Sequence, residues 1–221
     1  MTVRSEDLEK LREMLLRMAT LVETSIKNSV KSLVDRDSEL ARAVIKQDHI
    51  VNSMDVQIDE ECIRLLALMQ PMGSDLRFIT TAMKLTTDLE RIGDNSVNIA
   101  ERAIELNKEP LLKPYIDVPK MGDIASGMVR DSIDAFIRRD KKLAMEVIGR
   151  DDEVDELNAA VLHELAFIMT QDPSTAFRAM KVSYVSKYLE RIADHATNLA
   201  EMVIYLIDGK IIRHMTLPDQ N

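Results

Sequence analysis

The sequence predicts an all-α fold built as two similar antiparallel three-helix bundles, the product of an internal duplication. Three observations predict it. A thirteen-residue segment occurs twice, 100 residues apart: Leu89-Glu90-Arg91-Ile92-Gly93-Asp94-Asn95-Ser96-Val97-Asn98-Ile99-Ala100-Glu101 and Leu189-Glu190-Arg191-Ile192-Ala193-Asp194-His195-Ala196-Thr197-Asn198-Leu199-Ala200-Glu201, with eight of thirteen positions identical. The chain is 46% hydrophobic but only 4% aromatic, with fourteen Met and no Trp, a stock that favours helices over sheets. The six prolines (Pro71, Pro110, Pro114, Pro119, Pro173 and Pro218) separate long proline-free runs instead of interrupting a helical pattern.

The elements follow in order. A first helix is predicted over about 5–35, with Ser5 as its cap and Glu6 and Asp7 in the first turn. Arg36-Asp37-Ser38 makes a tight turn, and Asp37 caps a second helix over about 38–69. Gln70-Pro71-Met72-Gly73-Ser74 is a breaker, after which a third helix runs over about 75–107. The stretch from Lys108 to Pro119 is the one long non-helical segment, and it divides the chain into repeats at 1–112 and 113–221. A fourth helix over about 120–138 comes next, then a fifth over about 141–169 capped by Asp140. Asp172-Pro173 opens a sixth, which Gly209 can end near residue 208. Helices of about 30 residues are roughly 45 Å long, and their short turns force antiparallel neighbours.

Charge and cysteine narrow the function. A net charge of −9 and a pI near 5.0 argue against nucleic acid and are compatible with cation binding. The single Cys62 can form no internal disulfide and fits a reducing cytoplasm. The acidic start of the chain lacks an apolar signal core, and no run of 18 uncharged apolar residues exists to span a bilayer. The expected location is cytoplasmic.

What repeats most faithfully is Glu-x-x-x-Asp. Glu90 and Asp94 stand one turn apart, with Asn98 and Glu101 continuing close to the same line. Like charges at this spacing weaken a helix, and Arg91 and Arg102 are expected to point elsewhere. The same stripe is apolar upstream, at Leu76, Ile79 and Met83, so it turns acidic halfway along one helix. On the second helix Asp48, Asn52, Asp55 and Asp59 form another oxygen-bearing stripe. Counting outward from the turn puts Asp48 and Asn52 level with Glu90 and Asp94. In the second repeat Asp151, Asp155 and Asn158 stand level with Glu190 and Asp194, and Asn198 and Glu201 extend that line. Crowded carboxylates need protons, basic partners or metal ions. An oxygen-only set suits hard cations (Mg, Mn, Ca or oxidised Fe), whereas local Arg pairing on a solvated acidic face would leave no metal role. His195, beside Asp194, is a possible further ligand in the second site.

Little supports catalysis. The chain has no Gly-rich phosphate loop, no Cys/His pair and no Ser/His/Asp arrangement. None of His49, His163, His195 and His214 has a Glu three residues before it, as a ferritin-like di-iron centre would require. Arg77 and Arg178 open the third and sixth helices, where they serve either helix-end packing or contact with an anion or partner. The methionines read mainly as core filler.

At these motifs the chain resembles the PhoU family of phosphate-uptake regulators. The likeness rests on Leu-Glu-Arg-Ile-(Gly/Ala)-Asp in both repeats, on Asp48-x-x-x-Asn52, on Ile58-Asp59-Glu60 and on Gln70-Pro71-x-x-Ser74-Asp75-Leu76-Arg77, and it covers residues 5–210. The resemblance implies two similar three-helix bundles, often a homodimer, and acidic patches that hold metal ions. It further implies a cytoplasmic, non-enzymatic regulator that restrains a phosphate ABC transporter and its linked membrane sensor kinase when phosphate is plentiful. Asn52 stands where the second repeat has Asp155, so the two sites are expected to differ. The rival readings are a carboxylate-based metal-storage or redox protein and a metal-free helical adaptor.

Overall fold

The structure, a computed structural model, describes residues 5–209; the Ser5 side chain expected to cap the first helix, His214 and Pro218 lie outside what it describes. The first repeat holds α1 (Ser5–Val34), α2 (Ser38–Met69) and α3 (Gly73–Leu106). The second holds α4 (Asp117–Arg138), α5 (Lys141–Ile148), α6 (Asp151–Gln171), a 3-10 turn (Pro173–Thr175) and α7 (Ala176–Asp208).

The turns reuse one device. Asp37 accepts from the backbone N–H of Glu39 and Leu40 at 3.0 Å each, and Asp140 accepts from Leu143 at 3.1 Å. Both follow an arginine in the left-handed region, Arg36 at φ 56° and Arg139 at φ 53°. The αL residue closes the outgoing helix, and the Asp behind it satisfies the first N–H groups of the incoming one. Asp172 caps the 3-10 turn through Ser174 N at 3.0 Å, and Gly209 ends α7 at φ 68°.

One prediction needs correction. The single fifth helix over 141–169 is broken at Gly149-Arg150 into α5 and α6. The Arg150 amide bonds back to the Val147 carbonyl (3.0 Å), three residues earlier, and its guanidinium is held by Asp131 of α4 at 2.6 Å. Glycine is a poor helix former. The acids that follow, Asp151, Asp152 and Glu153, are better placed in the first turn of a new helix than in the middle of an old one.

The two bundles share one continuous core. α3 packs along α7 and α1 along α4, with each pair antiparallel. Buried Leu15, Ile26, Leu85 and Leu89 from one repeat join Met128, Phe136, Leu189 and Ile192 from the other. Phe78 stacks on Phe136 across the boundary with centroids 4.8 Å apart. α1 and α4 cross so closely that a Cβ on Gly122 would sit 2.9 Å from Val30 Cγ2. The start of the connection between repeats is tied to both of them. Arg36 donates to the carbonyls of Asn107 (2.8 Å) and Glu109 (2.6 Å), and Lys181 donates to the Glu109 carboxylate at 2.9 Å. No helix among the described residues is long and apolar enough to cross a membrane.

Candidate metal centres

The first acidic belt lies at a close approach of α2 and α3. Gly93 permits that approach: a Cβ there would meet Val51 Cγ1 at 3.3 Å and Asp48 Oδ1 at 3.4 Å. Asp48 therefore stands beside Glu90 and Asp94, as the hairpin count predicts, and Asp55 lies about two turns further along α2. Burial raises the Glu90 carboxyl above its ordinary range, and Asp94, Asp55 and Asp48 raise it further against the pull of Arg91. Burial and then Asp94 raise Asp48, opposed by the Asn52 amide, which donates to it at 2.8 Å. Burial and Asp59 raise Asp55. The expectation for Arg91 is overturned: its guanidinium lies 3.5 Å from Glu90 and 3.4 Å from Asp94, at the outer edge of ion pairing. Arg102 likewise pairs with Glu105 at 3.1 Å and reaches exposed Glu101 at 3.7 Å. These cations dilute the belt without neutralising it.

The second belt is more strained. The Asp151 carboxyl is pushed up to about 6, by burial first and then by Asp194 and Asp155. Asp194 is raised by burial, Glu190 and Asp155. Glu190 accepts from Lys187 through Oε1 at 2.5 Å, while its Oε2 is buried with no protein donor. Asn98, Asn198 and Glu201 are half-buried along the same helices.

The residues of both belts fit a hard cation by chemistry: oxygen donors in a site already deficient in positive charge. The fit is looser by position. No three Asp, Glu, His or Cys side chains among the described residues are grouped so as to hold one ion.

Other sequence candidates have different duties. Asn158 spends its amide oxygen on the Ser186 hydroxyl at 2.7 Å and so locks α6 to α7. His195 turns from its own belt to Asp88 of α3, with Nδ1 2.9 Å from Oδ1. Sequence reasoning missed this cross-repeat pair, because only the antiparallel packing of α3 on α7 brings residues 107 positions apart together. Arg178 donates to the Pro110 carbonyl at 3.0 Å and lies 4.0 Å from Glu109, so it anchors the linker. Arg77 is half-buried, and its Nε meets no protein acceptor. A further cluster was not anticipated. Buried Glu61 receives Arg64 through two nitrogens (2.8 and 3.0 Å) and Lys10 at 3.2 Å, and Arg64 also reaches Asp7 at 2.9 Å. The i,i+3 spacing of Glu61 and Arg64 was the available signal.

Comparison with known proteins gives consistent matches. The PhoU domain family model matches residues 15–103 and again 118–203. A protein of Pseudomonas putida, described as a phosphate-specific transport system accessory protein PhoU homolog, is 44% identical over 212 residues, 96% of this chain and 83% of that one. An Aquifex aeolicus protein of the same description is 44% identical over 215 residues, 97% of each chain. The crystal structure of PhoU from Pseudomonas aeruginosa superposes with a TM-score of 0.89 at 42% identity, covering 93% of this chain and 99% of that one. That of a phosphate transport system regulatory protein PhoU from Streptococcus pneumoniae gives 0.85 at 29% identity, covering 92% and 96%.

Proposed function

This chain belongs to the PhoU family, and from that premise we propose that it is a cytoplasmic, non-catalytic regulator of phosphate uptake. In this reading it works as a homodimer that restrains a high-affinity phosphate ABC transporter and the linked sensor kinase when phosphate is plentiful. Metal ions held by the two belts, through Asp48, Asp55, Glu90 and Asp94 in one and Asp151, Asp155, Glu190 and Asp194 in the other, would offset the negative charge. They would also stiffen the α2–α3 and α6–α7 pairs. A docked partner is biased only if it binds the protein more tightly in one of its own states than in the other.

The observation that supports this reading best is the doubled belt, in which burial and neighbouring carboxylates raise Asp48, Asp55 and Glu90 in one repeat and Asp151 and Asp194 in the other above their ordinary ranges. Glu90→Gln, Asp94→Asn, Glu190→Gln and Asp194→Asn in one chain should abolish pull-down of the transporter from phosphate-replete membranes. Undiminished pull-down would remove the belts from the mechanism. The loose grouping of the carboxylates favours a second reading, a metal-free helical adaptor. It predicts full partner binding in chelator.

A further inference from the structure

Toward the hairpin tips each acidic belt is flanked by exposed apolar side chains, with Asp59 among them in the first repeat and Lys187 in the second. On α6 the side that carries Asp151 and Asp155 continues to Leu162, seven residues beyond Asp155 and 42% exposed. On α7, fourteen residues back from Asp194, that side carries Met180, 45% exposed, with Tyr184 and Phe177 beside it, also exposed. The Asn158–Ser186 bond fixes the register, so Leu162 and Met180 stand at neighbouring heights. In the first repeat Asp59 stands where Leu162 stands in the second, so the apolar part of that face is carried by exposed Val56 and Ile63 beside it on α2 and by Leu76 above Glu90 on α3.

We propose that each hairpin face docks a basic amphipathic helix from a partner protein. On the α6–α7 face its apolar side rests on Leu162, Met180, Tyr184 and Phe177, and its basic end meets Asp151 and Asp155. Charge selects this occupant. A chain of net charge −9 with uncompensated carboxylates beside the apolar stripe is repelled by an anionic lipid surface. A second copy meeting the same face would set acid against acid. A cationic helix answers both halves of the surface at once. The stretch from Asp155 to Phe167 is about 18 Å, three to four turns of such a helix. This inference goes beyond the metal reading and does not need it: a basic helix end and a bound cation compete for Asp151 and Asp155, so the face is tested with metal removed.

The test uses the full chain in EDTA and a fluorescent eighteen-residue peptide of Leu and Lys, with leucines at helical i, i+3, i+4, i+7 spacing and lysines massed at one end. A peptide of the same composition with scattered leucines is the control. Anisotropy titration should give two peptides per chain, one after Leu162→Ser/Met180→Ser, and none once Val56→Ser/Ile63→Ser are added. Circular dichroism should be unchanged throughout, because these side chains are exposed. In a chain carrying Val56→Ser/Ile63→Ser alone, which leaves only the α6–α7 face, Asp151→Asn/Asp155→Asn should weaken binding at least tenfold at low salt. Leu111→Ser/Ile116→Ser in the linker should change nothing. Equal binding of the scattered peptide, or a stoichiometry indifferent to the stripe substitutions, overturns the proposal. Because chelator is present, that failure is separate from any failure of metal binding.

Discussion

Asp151→Asn should stabilise the metal-free protein at neutral pH, although it removes a carboxylate from the first turn of a helix. The Asp151 carboxyl titrates at about 6 in the folded chain against an ordinary 3.8, with burial the leading cause and Asp194 and Asp155 behind it. The native state therefore holds this proton more tightly than the unfolded chain does. Stability falls as pH rises between those two values, and the penalty is complete above about 6. That interval corresponds to about 3 kcal/mol at 1.36 kcal/mol per pH unit, which solvent screening at a half-buried site reduces to about 1–2 kcal/mol. Against this, Asp151 opens α6, where a carboxylate gains about 0.3–1 kcal/mol from the helix dipole. The net expectation is a gain of about 1 kcal/mol at pH 7.5 that disappears by pH 4. Urea unfolding followed by circular dichroism, in chelator at both pH values, reads it directly. With saturating Mn²⁺ the order should reverse, because the wild type alone then keeps the full linkage gain from bound metal. A variant less stable than wild type at pH 7.5 in chelator, or a gain independent of pH, would refute this reasoning.

Three further substitutions probe the scaffold. Gly122→Ala forces a Cβ to within 2.9 Å of Val30 Cγ2 and should cost about 1–3 kcal/mol, most of it recovered by Val30→Ala in the same chain, as thermal unfolding would show. Asp37→Ala leaves two helix-end N–H groups without their acceptor and should cost about 1 kcal/mol in the same assay. Glu61→Gln breaks the charge-assisted pair with Arg64 and should cost about 1–2 kcal/mol at pH 7. Arg64 first, then Lys10, holds the Glu61 carboxyl below its ordinary 4.5. The wild-type advantage should therefore persist above that value and vanish as pH falls through the folded pKa, which urea titrations at pH 7 and pH 3.5 would reveal.

Local chemistry carries the helix boundaries. Asp37, Asp140, Asp172, Pro173 and Gly209 each act at the position their side chains or backbones favour, so the sequence locates α1 to α4 and α7 to within a few residues. The level of the belts was equally legible, because a short hairpin fixes heights by counting. The break at Gly149-Arg150 was not, since the apolar period passes through it unchanged; the glycine ahead of three acids was the overlooked sign. The pairing of His195 with Asp88 and of Arg178 with the linker depends on how one repeat lies on the other, and no local pattern encodes that. Arg91 escaped for a different reason. A long side chain at an exposed position can swing toward neighbours that lie off its own helical line.

Equilibrium dialysis against Mn²⁺ and ferric citrate, with elemental analysis of the retained protein, tests most directly whether the belts are cation sites. The wild type should retain metal, and the chain carrying Glu90→Gln, Asp94→Asn, Glu190→Gln and Asp194→Asn should retain none while keeping its helical content. A wild type that emerges bare, or a quadruple variant that holds as much metal as its parent, would contradict the account.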